Sequence, residues 1–389
     1  MSARLLRLFG ALLALAAGLG PWWAAREISR DAFPGFLVAE KKVMGVRENP
    51  RMERALINPG AAPPKAHSAT LAQLPDGTLV AAWYAGSGEG KSDVGIWLAR
   101  RPPDQAWSEP RAVLVRNSVA AATRRHVVSL GNPVLLTDPT GRLGLLFVSI
   151  AAGRWSGSSL NLCWSDDGGL NWGKIEKLTT NPLANLGTLP RNPPLALRGG
   201  GWAVPIYEEF IGRFSEVLWL PAPGDARSAA VSRIHGGMKS FQPSLVALSA
   251  ERVLAFTRDD GPAGRAKTAL SEDRGRSWSR LQSSTLPNVD SGLCLVRLPD
   301  GRLLAAYNNA SDGKRENLSL AVSDDQGSTW LPIGPLEEEV GQEFSYPYMI
   351  VDQSGRVRMV YSSRRSGIAY AEFNLGWINQ QVDAAEAAL

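Results

Sequence analysis

One pattern recurs six times along this chain: an apolar segment, a tight turn, and a second apolar segment that ends at polar or aromatic residues. The first copy reads HSATLAQLPDGTLVAAWY from His67, and the last reads YPYMIVDQSGRVRMVYSS from Tyr346. Turn dipeptides such as Asp-Gly, Gly-Gly and Ser-Gly between two apolar segments are typical of β-hairpins. The six copies begin at His67, Asn132, Asn192, Gln242, Ser291 and Tyr346. A period of about 50 to 65 residues predicts an all-β repeat architecture.

A second motif, Ser-x-Asp-x-Gly-x-x-Trp, lies between the hairpins. It is complete three times, beginning at Ser165, Ser271 and Ser323, and a degenerate copy surrounds Trp107. The Ser and Asp side chains of such a turn hydrogen-bond its backbone amides, and the glycine permits a positive φ. The tryptophan is then expected to pack under the turn. These residues are therefore predicted to be structural.

Together the hairpins and the turn motifs resemble the sialidase superfamily, also called the BNR or Asp-box repeat proteins. The resemblance covers roughly residues 66–373 and implies a six-bladed β-propeller. The last strand, Ile368 to Phe373, needs a fourth partner in its blade. We predict that an N-terminal strand within Phe36 to Val46 supplies that partner and closes the ring without a free edge.

The N-terminus carries Arg4 and Arg7 ahead of an uncharged apolar run from Leu8 to Ala25. This pattern predicts that residues 1–25 are a cleaved signal peptide or a membrane anchor. The rest of the chain is then expected in the periplasm or outside the cell, either free or tethered to the inner membrane. We divide it into a linker with the closing strand (26–65), the propeller (66–378) and a C-terminal tail (379–389).

Composition excludes several classes of function. The formal net charge is +5 and the Lys and Arg residues form no basic run, so no nucleic-acid partner is predicted. The two cysteines, Cys163 and Cys294, fall in different repeats and are expected to be buried thiols. The three histidines lack ligand spacing, and no phosphate-binding loop occurs, so neither a metal nor a cofactor is predicted. The chain is expected to be a monomer.

In a propeller the first strand of each blade lines the central channel, so the six hairpin starts should meet on one face. All six of those side chains are polar or hydrogen-bonding, although each opens an apolar strand. This pattern favours a lined pocket over core packing. The residues that we expect to bind substrate there are Asn132, Asn192 and Ser291 together with Arg191, Asp290, Arg258 and Arg315.

The family resemblance implies roles for several of these residues. Sialidases bind a sugar carboxylate with three arginines, and Arg258 and Arg315 match the second and third of them. Tyr346 matches the nucleophile, while Gln242 stands where the family has the glutamate that assists it. His67 occupies the place of the first arginine, and Ser362 that of the glutamate paired with it.

The acid/base residue is expected in the loop after the second strand of the first blade, where Asp93 is our first choice and Glu89 the second. Glu208 or Glu209 is a candidate for the missing base. The resemblance thus predicts a glycoside hydrolase of exo-α-sialidase type that acts on an acidic oligosaccharide or polysaccharide.

Two alternatives remain open at this point. The first is a lyase that β-eliminates a uronate glycan, with Arg258 and Arg315 neutralising the carboxylate while His67 and Tyr346 transfer protons. The second is a carbohydrate-binding propeller without catalytic activity.

Overall fold

The computed structural model describes residues 33–39, 48–58, 63–180, 186–222 and 229–389. These residues form six blades of mainly antiparallel strands, and the first strands of successive blades lie side by side in a closed ring. Strand β23 of the sixth blade contacts β2 of the first, which closes the ring. The predicted six-bladed all-β propeller is therefore confirmed. The signal or anchor segment, residues 1–25, lies outside the described residues.

The first three blades follow one another along the chain. Blade 1 contains β2 (Lys65–Gln73), β3 (Leu79–Gly86), β4 (Gly95–Arg101) and β5 (Arg111–Leu114). Blade 2 contains β6 (Ser129–Thr137), β7 (Leu143–Ile150), β8 (Ser158–Ser165) and β9 (Glu176–Lys177). Blade 3 contains β10 (Thr188–Pro190), β11 (Leu195–Ala196), β12 (Trp202–Glu208), β13 (Arg213–Leu220) and β14 (Ala230–Arg233). In blade 3 both β10 and β11 pair with β12, so they act as one interrupted inner strand.

The other three blades repeat this order. Blade 4 contains β15 (Lys239–Ala247), β16 (Val253–Asp259), β17 (Arg265–Ser271) and β18 (Gln282–Pro287). Blade 5 contains β19 (Cys294–Arg297), β20 (Leu303–Tyr307), β21 (Asn317–Ser323) and β22 (Leu331–Glu338). Blade 6 contains β23 (Phe344–Val351), β24 (Val357–Ser363), β25 (Gly367–Phe373) and β1 (Met52–Leu56).

The closing strand is β1, which pairs antiparallel with β25 from Met52 opposite Phe373 to Leu56 opposite Ala369. This corrects the predicted position within residues 36–46, of which 40–46 lie outside the described residues. Phe36 instead forms a bridge to Leu197 of blade 3 and is fully buried there, near the ring of Trp219. Burying the aromatic side chain here removes more apolar surface from water, and so stabilises the fold more, than a position on an outer strand would.

Two α-helices complete the described chain, together with a short 3-10 helix (Arg154–Gly157) after β7. Helix α1 (Arg116–Thr123) connects blades 1 and 2, and helix α2 (Leu375–Glu386) follows the last strand. Asn374 caps α2 by accepting a hydrogen bond from the Trp377 amide, and Ile378 buries the helix against the interface of blades 5 and 6. The predicted tail, 379–389, thus begins inside α2. No helix among the described residues is long and apolar enough to cross a membrane.

The hydrophobic core consists of six clusters, one at each interface between neighbouring blades. Side chains alternate along β3, so that Val80 and Ala82 pack towards blade 2 while Ala81 and Trp83 pack towards blade 6. Each sheet is covered on both faces, which explains why the inner strands are apolar almost without interruption.

The three complete Ser-x-Asp-x-Gly motifs follow the third strands of blades 2, 4 and 5. In the first copy the Ser165 hydroxyl donates to Asp167 and accepts a hydrogen bond from the Gly169 amide. The same contacts occur at the motifs that begin with Ser271 and Ser323. The predicted structural role is thus visible in the hydrogen bonds of the turns.

Candidate active site

Each blade presents one residue with a left-handed backbone at the start of its inner strand. In blades 1, 2, 4 and 6 this residue lies in a break of the strand register, as in a β-bulge. The extra residue leaves the ladder, which frees its side chain from the regular alternation of the sheet. These six positions are Ser68 (φ 54°), Asn132 (43°), Asn192 (72°), Gln242 (52°), Asp290 (53°) and Tyr346 (53°).

This set corrects the predicted ring by one residue in two blades. Ser68 replaces His67 as the blade 1 member, and Asp290 replaces Ser291 as the blade 5 member. In the other four blades the ring residue is followed by proline, which marks the same place in each inner strand. Blades 1 and 5 have Ala69 and Ser291 instead of that proline, so the sequence did not show which residue of these two strands joins the ring.

A cavity of about 160 Å³ opens at the centre of this face. Four of the ring residues contribute to its wall, and the remaining lining comes mainly from the ends of second strands and the loops after them. The cavity is lined by Ser68, Tyr84, Glu89, Asn132, Trp155, Tyr207, Glu209, Arg213, Phe241, Gln242, Arg258 and Tyr346.

Arg258 connects three blades at the floor of this cavity. Its Nε donates to Asp290 Oδ1 at 2.7 Å, and its Nη1 donates to Gln242 Oε1 at 3.2 Å and to the Tyr346 hydroxyl at 3.3 Å. The guanidinium also lies 4.6 Å from the ring centre of Phe241. Arg258 is therefore held rigidly, with its charge next to the phenol oxygen.

Arg315 lies on the other side of Asp290, just outside the cavity wall. Its Nη2 donates to the Asp290 carbonyl oxygen at 2.8 Å, and its Nη1 lies 3.6 Å from Glu343. The guanidinium carbon is 5.5 Å from the ring centre of Tyr346. The structure thus brings the two predicted arginines to the same tyrosine.

Tyr346 is surrounded by positive charge. Burial by itself raises the pKa of its hydroxyl, but the guanidinium groups of Arg258 and Arg315 together bring that pKa below the ordinary value. A hydrogen bond from Arg258 contributes in the same direction. A phenol with a lowered pKa is a better nucleophile at neutral pH.

Arg191 was expected to bind substrate, but the structure places it beneath the cavity. It is 2% exposed, and its guanidinium donates to Ser68 Oγ, to the Ala69 carbonyl and to the Pro347 carbonyl at 3.1 to 3.3 Å. It also lies 5.1 Å from the ring centre of Tyr346. The Ala69 and Pro347 carbonyl oxygens thus accept hydrogen bonds that the guanidinium would otherwise donate to a ligand.

The predicted amide residues mostly hold the ring together. Asn132 donates to the hydroxyl of Tyr207 at 3.0 Å, and Gln242 donates to the same hydroxyl at 3.3 Å. Asn192 donates to the carbonyl oxygens of Gln242 and Pro243 and does not line the cavity. Ser291, also predicted to bind substrate, is fully buried behind the wall.

The carboxylates of the cavity are not the ones that the sequence favoured. Asp93 accepts hydrogen bonds from the amide and hydroxyl of Ser87, so it stabilises the loop after β3 outside the cavity. Glu89, in the same loop, lines the cavity and accepts a hydrogen bond from Trp155 Nε1 at 2.6 Å. The tight Gly-rich turn folds Asp93 back onto the loop, which a linear reading of the sequence does not reveal.

The side chains of Glu208 and Glu209 point in opposite directions, because successive residues at the end of a strand alternate between its two faces. Glu208 is buried and accepts a hydrogen bond from Thr188 on the far side of β12. Glu209 lines the cavity, and burial raises the pKa of its carboxyl. Of these two candidates only Glu209 lines the cavity into which Tyr346 opens.

A second cavity of about 190 Å³ adjoins the first, and His67 belongs to it. Burial lowers the pKa of His67 to about 3 despite the opposing effect of the Glu343 carboxylate. Its ring meets the ring of Tyr346 edge-on, with 4.6 Å between centres. The second cavity is lined by Lys65, His67, Tyr84, Gly86, Ser87, Gly88, Glu89, Val94 and Arg365.

Sequence reasoning missed Glu343, which connects two arginines at this face. It pairs with Arg315 and accepts a hydrogen bond from Arg365 Nε. Ser362, at the place of the family's glutamate, accepts a hydrogen bond from the Ser68 amide instead of holding an arginine. Glu343 lies just before the inner strand of blade 6, where the spacing of the repeat gives no signal. No group of three or more His, Cys, Asp or Glu residues in the described part of the chain could hold a metal ion.

Comparison with known proteins agrees with this architecture. The BNR repeat-like domain family matches residues 77–359. A curated sialidase from Micromonospora viridifaciens is 26% identical over 342 residues, which cover 79% of this chain and 51% of the relative. The chain thus spans about half the length of that relative.

Two solved structures show the same fold at low sequence identity. A Hadza microbial sialidase has a TM-score of 0.66 and 17% identity, over 80% of this chain and 66% of the other. The intramolecular trans-sialidase of Ruminococcus gnavus has a TM-score of 0.64 and 14% identity, over 83% of this chain and 97% of the other. With its family match over most of the propeller and a fold shared with sialidases, the chain belongs to the BNR repeat-like family of the sialidase superfamily.

Proposed function

We propose that the protein is a glycoside hydrolase that removes an acidic, carboxylate-bearing sugar from a glycan by exo-α-sialidase-type chemistry. The observation that carries the proposal is the phenol of Tyr346, which opens into a cavity while Arg258 and Arg315 lower its pKa. An anionic sugar repels a carboxylate nucleophile, whereas a tyrosine among guanidinium groups meets it with less repulsion.

The sugar carboxylate is bound by the same arginines in this proposal. Arg258 uses Nε and Nη1 for protein contacts, and among the described residues its Nη2 has no hydrogen-bond partner. This nitrogen is therefore available to a ligand. A planar guanidinium matches the geometry of a carboxylate, and the position of Arg258 is fixed before substrate arrives.

The first chemical step forms a bond between Tyr346 and the sugar. Glu209 takes the phenol proton, the Tyr346 oxygen attacks the anomeric carbon, and the glycosidic C–O bond breaks. Glu89 donates its proton to the leaving oxygen. The raised pKa of the Glu209 carboxyl makes it a better proton acceptor than an ordinary glutamate.

The second step restores the enzyme. Glu89, now ionised, takes a proton from water, whose oxygen attacks the anomeric carbon and breaks the bond to Tyr346. The phenolate regains its proton from Glu209, so all three residues return to their starting state. Two displacements at one carbon release the sugar with its original anomeric configuration.

Elimination is the less favoured alternative because of where His67 lies. Its Nδ1 is buried without a hydrogen-bond partner among the described residues, and its ring lines the second cavity instead of the one that Tyr346 opens into. A base for elimination must reach the proton next to the carboxylate. The nucleophile and the two carboxylates that hydrolysis requires, Tyr346, Glu89 and Glu209, all line one cavity.

The test is a digest of sialosides and uronate glycans, with sugar release and unsaturated products measured separately. We expect the wild type to release a saturated acidic sugar, and Tyr346→Phe to lose activity by about 10³-fold or more. His67→Gln is the comparison variant, because it removes the base that elimination would need and should lower hydrolysis far less than Tyr346→Phe does. Unsaturated products abolished in both variants would indicate the lyase, and binding without turnover would indicate the non-catalytic propeller.

A further inference from the structure

We propose that the cavity lined by His67, Lys65 and Arg365 binds a second residue of the glycan, on the leaving side of the cleaved bond, and that this residue is anionic. This inference rests on the proposed hydrolase function. It adds a substrate class, a glycan with two neighbouring acidic residues.

The position of Glu89 divides the two cavities. Tyr84 and Glu89 are the two residues that line both of them, so they form the shared wall. If Glu89 protonates the leaving oxygen, the cleaved bond must lie at that wall. The attacked sugar then occupies the Tyr346 side, and the leaving residue occupies the His67 side.

The loop that carries Glu89 is shaped to leave this space open. Ser87 is held by both carboxylate oxygens of Asp93, which fixes the direction of the chain before Glu89. A side chain at position 86 would come within 2.9 Å of the Val94 backbone, so only glycine fits there. With Trp155 holding Glu89 from the other side, the wall between the cavities is braced at both ends.

The chemistry of the second cavity favours an anion. Lys65 lines it and is exposed, and no carboxylate of the described residues lies within ion-pair distance of it. Arg365 also lines it and is 62% exposed, and its guanidinium is anchored through Glu343. Two cations at the rim, one of them without a carboxylate partner, match a carboxylate or sulfate on the entering residue.

His67 is suited to the inner wall of this cavity. It stays neutral, so it neither repels the cations nor adds to them. Its neutral imidazole lies next to the ring of Tyr84, at 5.9 Å between ring centres, and both side chains line this cavity. A sugar ring packs on such rings while its charged substituent reaches the rim.

Matched disaccharides test this inference. Both carry the same acidic sugar at the cleaved end, and the leaving residue is either neutral or carboxylated. We expect the wild type to favour the carboxylated substrate by about three- to tenfold in kcat/KM. Arg365→Gln and Lys65→Gln should each bring that ratio closer to one.

Arg364→Gln is the matched control. Arg364 adjoins Arg365, shares its left-handed backbone and its exposure (56%), but pairs with Glu339 and lines neither cavity. The ratio should remain at the wild-type value in this variant. Equal kcat/KM values for both substrates in the wild type, or a ratio unchanged by Arg365→Gln and Lys65→Gln, would overturn the inference while leaving the hydrolase intact.

Binding of the two disaccharides to Tyr346→Phe, measured by calorimetry, separates the inference from the hydrolase proposal. If no substrate is turned over by the wild type, the hydrolase proposal fails. Weaker binding of the carboxylated disaccharide by Arg365→Gln within the Tyr346→Phe background would still support an anion site. Identical affinities for both ligands would reject it.

Discussion

Arg258 Nη1 donates a hydrogen bond to the hydroxyl of Tyr346 at 3.3 Å, across the gap between blades 4 and 6. The same nitrogen donates to Gln242, at the position where the family resemblance predicts a glutamate. The charge of Arg258 thus favours the deprotonated form of Tyr346, which a neighbouring base would favour by accepting the proton. The contact lets Tyr346 lose its proton more readily without a carboxylate at position 242.

This contact predicts an unusual tyrosine titration. The pKa of Tyr346 is lowered, whereas burial raises the pKa of every one of the six other tyrosines. Alkaline titration followed by phenolate absorbance should show one tyrosine ionising ahead of the rest. Tyr346→Phe should remove that early step, and Tyr370→Phe should leave it. An early step that survives in Tyr346→Phe would contradict the electrostatic account.

Glu89 and Asp93 offer a pair of matched variants. Glu89→Gln removes the proposed acid and should lower kcat by about 10²- to 10⁴-fold. Asp93→Asn keeps the shape of a residue that only braces the Ser87 loop, so its effect should stay within about tenfold. Initial rates on the released acidic sugar give the comparison. The reverse order of effects would return the acid/base role to Asp93.

The repeat pattern was enough to predict the fold, because six hairpins and three Asp-box turns leave little choice of architecture. It also predicted that Tyr346, which opens an inner strand, and Arg258, which ends a second strand, face the central pocket; in the structure a proline follows the ring residue in four blades. The predicted ring residues were wrong by one position at His67 and Ser291, in the two blades where that proline is missing. The conformation of the loop after β3 determines that Glu89 lines the cavity and Asp93 does not. Loops have no periodicity from which such a conformation could be predicted.

Arg191 shows a different limit of sequence reasoning. Its place beside a ring residue suggested ligand binding, yet the narrow end of the channel supplies carbonyl oxygens that satisfy a buried guanidinium. Whether a channel-lining side chain points towards the cavity or away from it depends on the local backbone conformation, and the spacing of the repeat does not determine this.

Removal of Arg191 is expected to destabilise the propeller. Arg191→Met leaves the Ala69 and Pro347 carbonyls without their donor and should lower the free energy of unfolding by about 2–4 kcal/mol. Arg198→Met, an exposed arginine of the same blade, should change it by less than about 0.5 kcal/mol. Urea unfolding at neutral pH measures both. An Arg191→Met variant as stable as the wild type would show that its contacts are dispensable.

His67 is expected to weaken the fold in acid. Its pKa is about 3 in the folded chain, below its value when unfolded, so between about pH 6.5 and pH 3 only the unfolded chain takes up this proton. Stability should therefore fall as pH decreases, by at most about 1.4 kcal/mol per pH unit from this group. His67→Gln should flatten that slope in urea unfolding between about pH 6 and pH 4. The exposed His126→Gln should keep it. A slope equal in both variants would argue against a neutral His67.

The proposed nucleophile can be observed directly by rapid quenching. Enzyme mixed with an acidic glycoside is denatured in acid within its first turnovers, digested, and analysed by peptide mass spectrometry. We expect the peptide that contains Tyr346 to gain the mass of one sugar residue, with the fragment ions placing it on that side chain, and Tyr346→Phe to show no adduct. Turnover of the glycoside by Tyr346→Phe at the wild-type rate, or an adduct on another residue, would contradict a mechanism based on Tyr346.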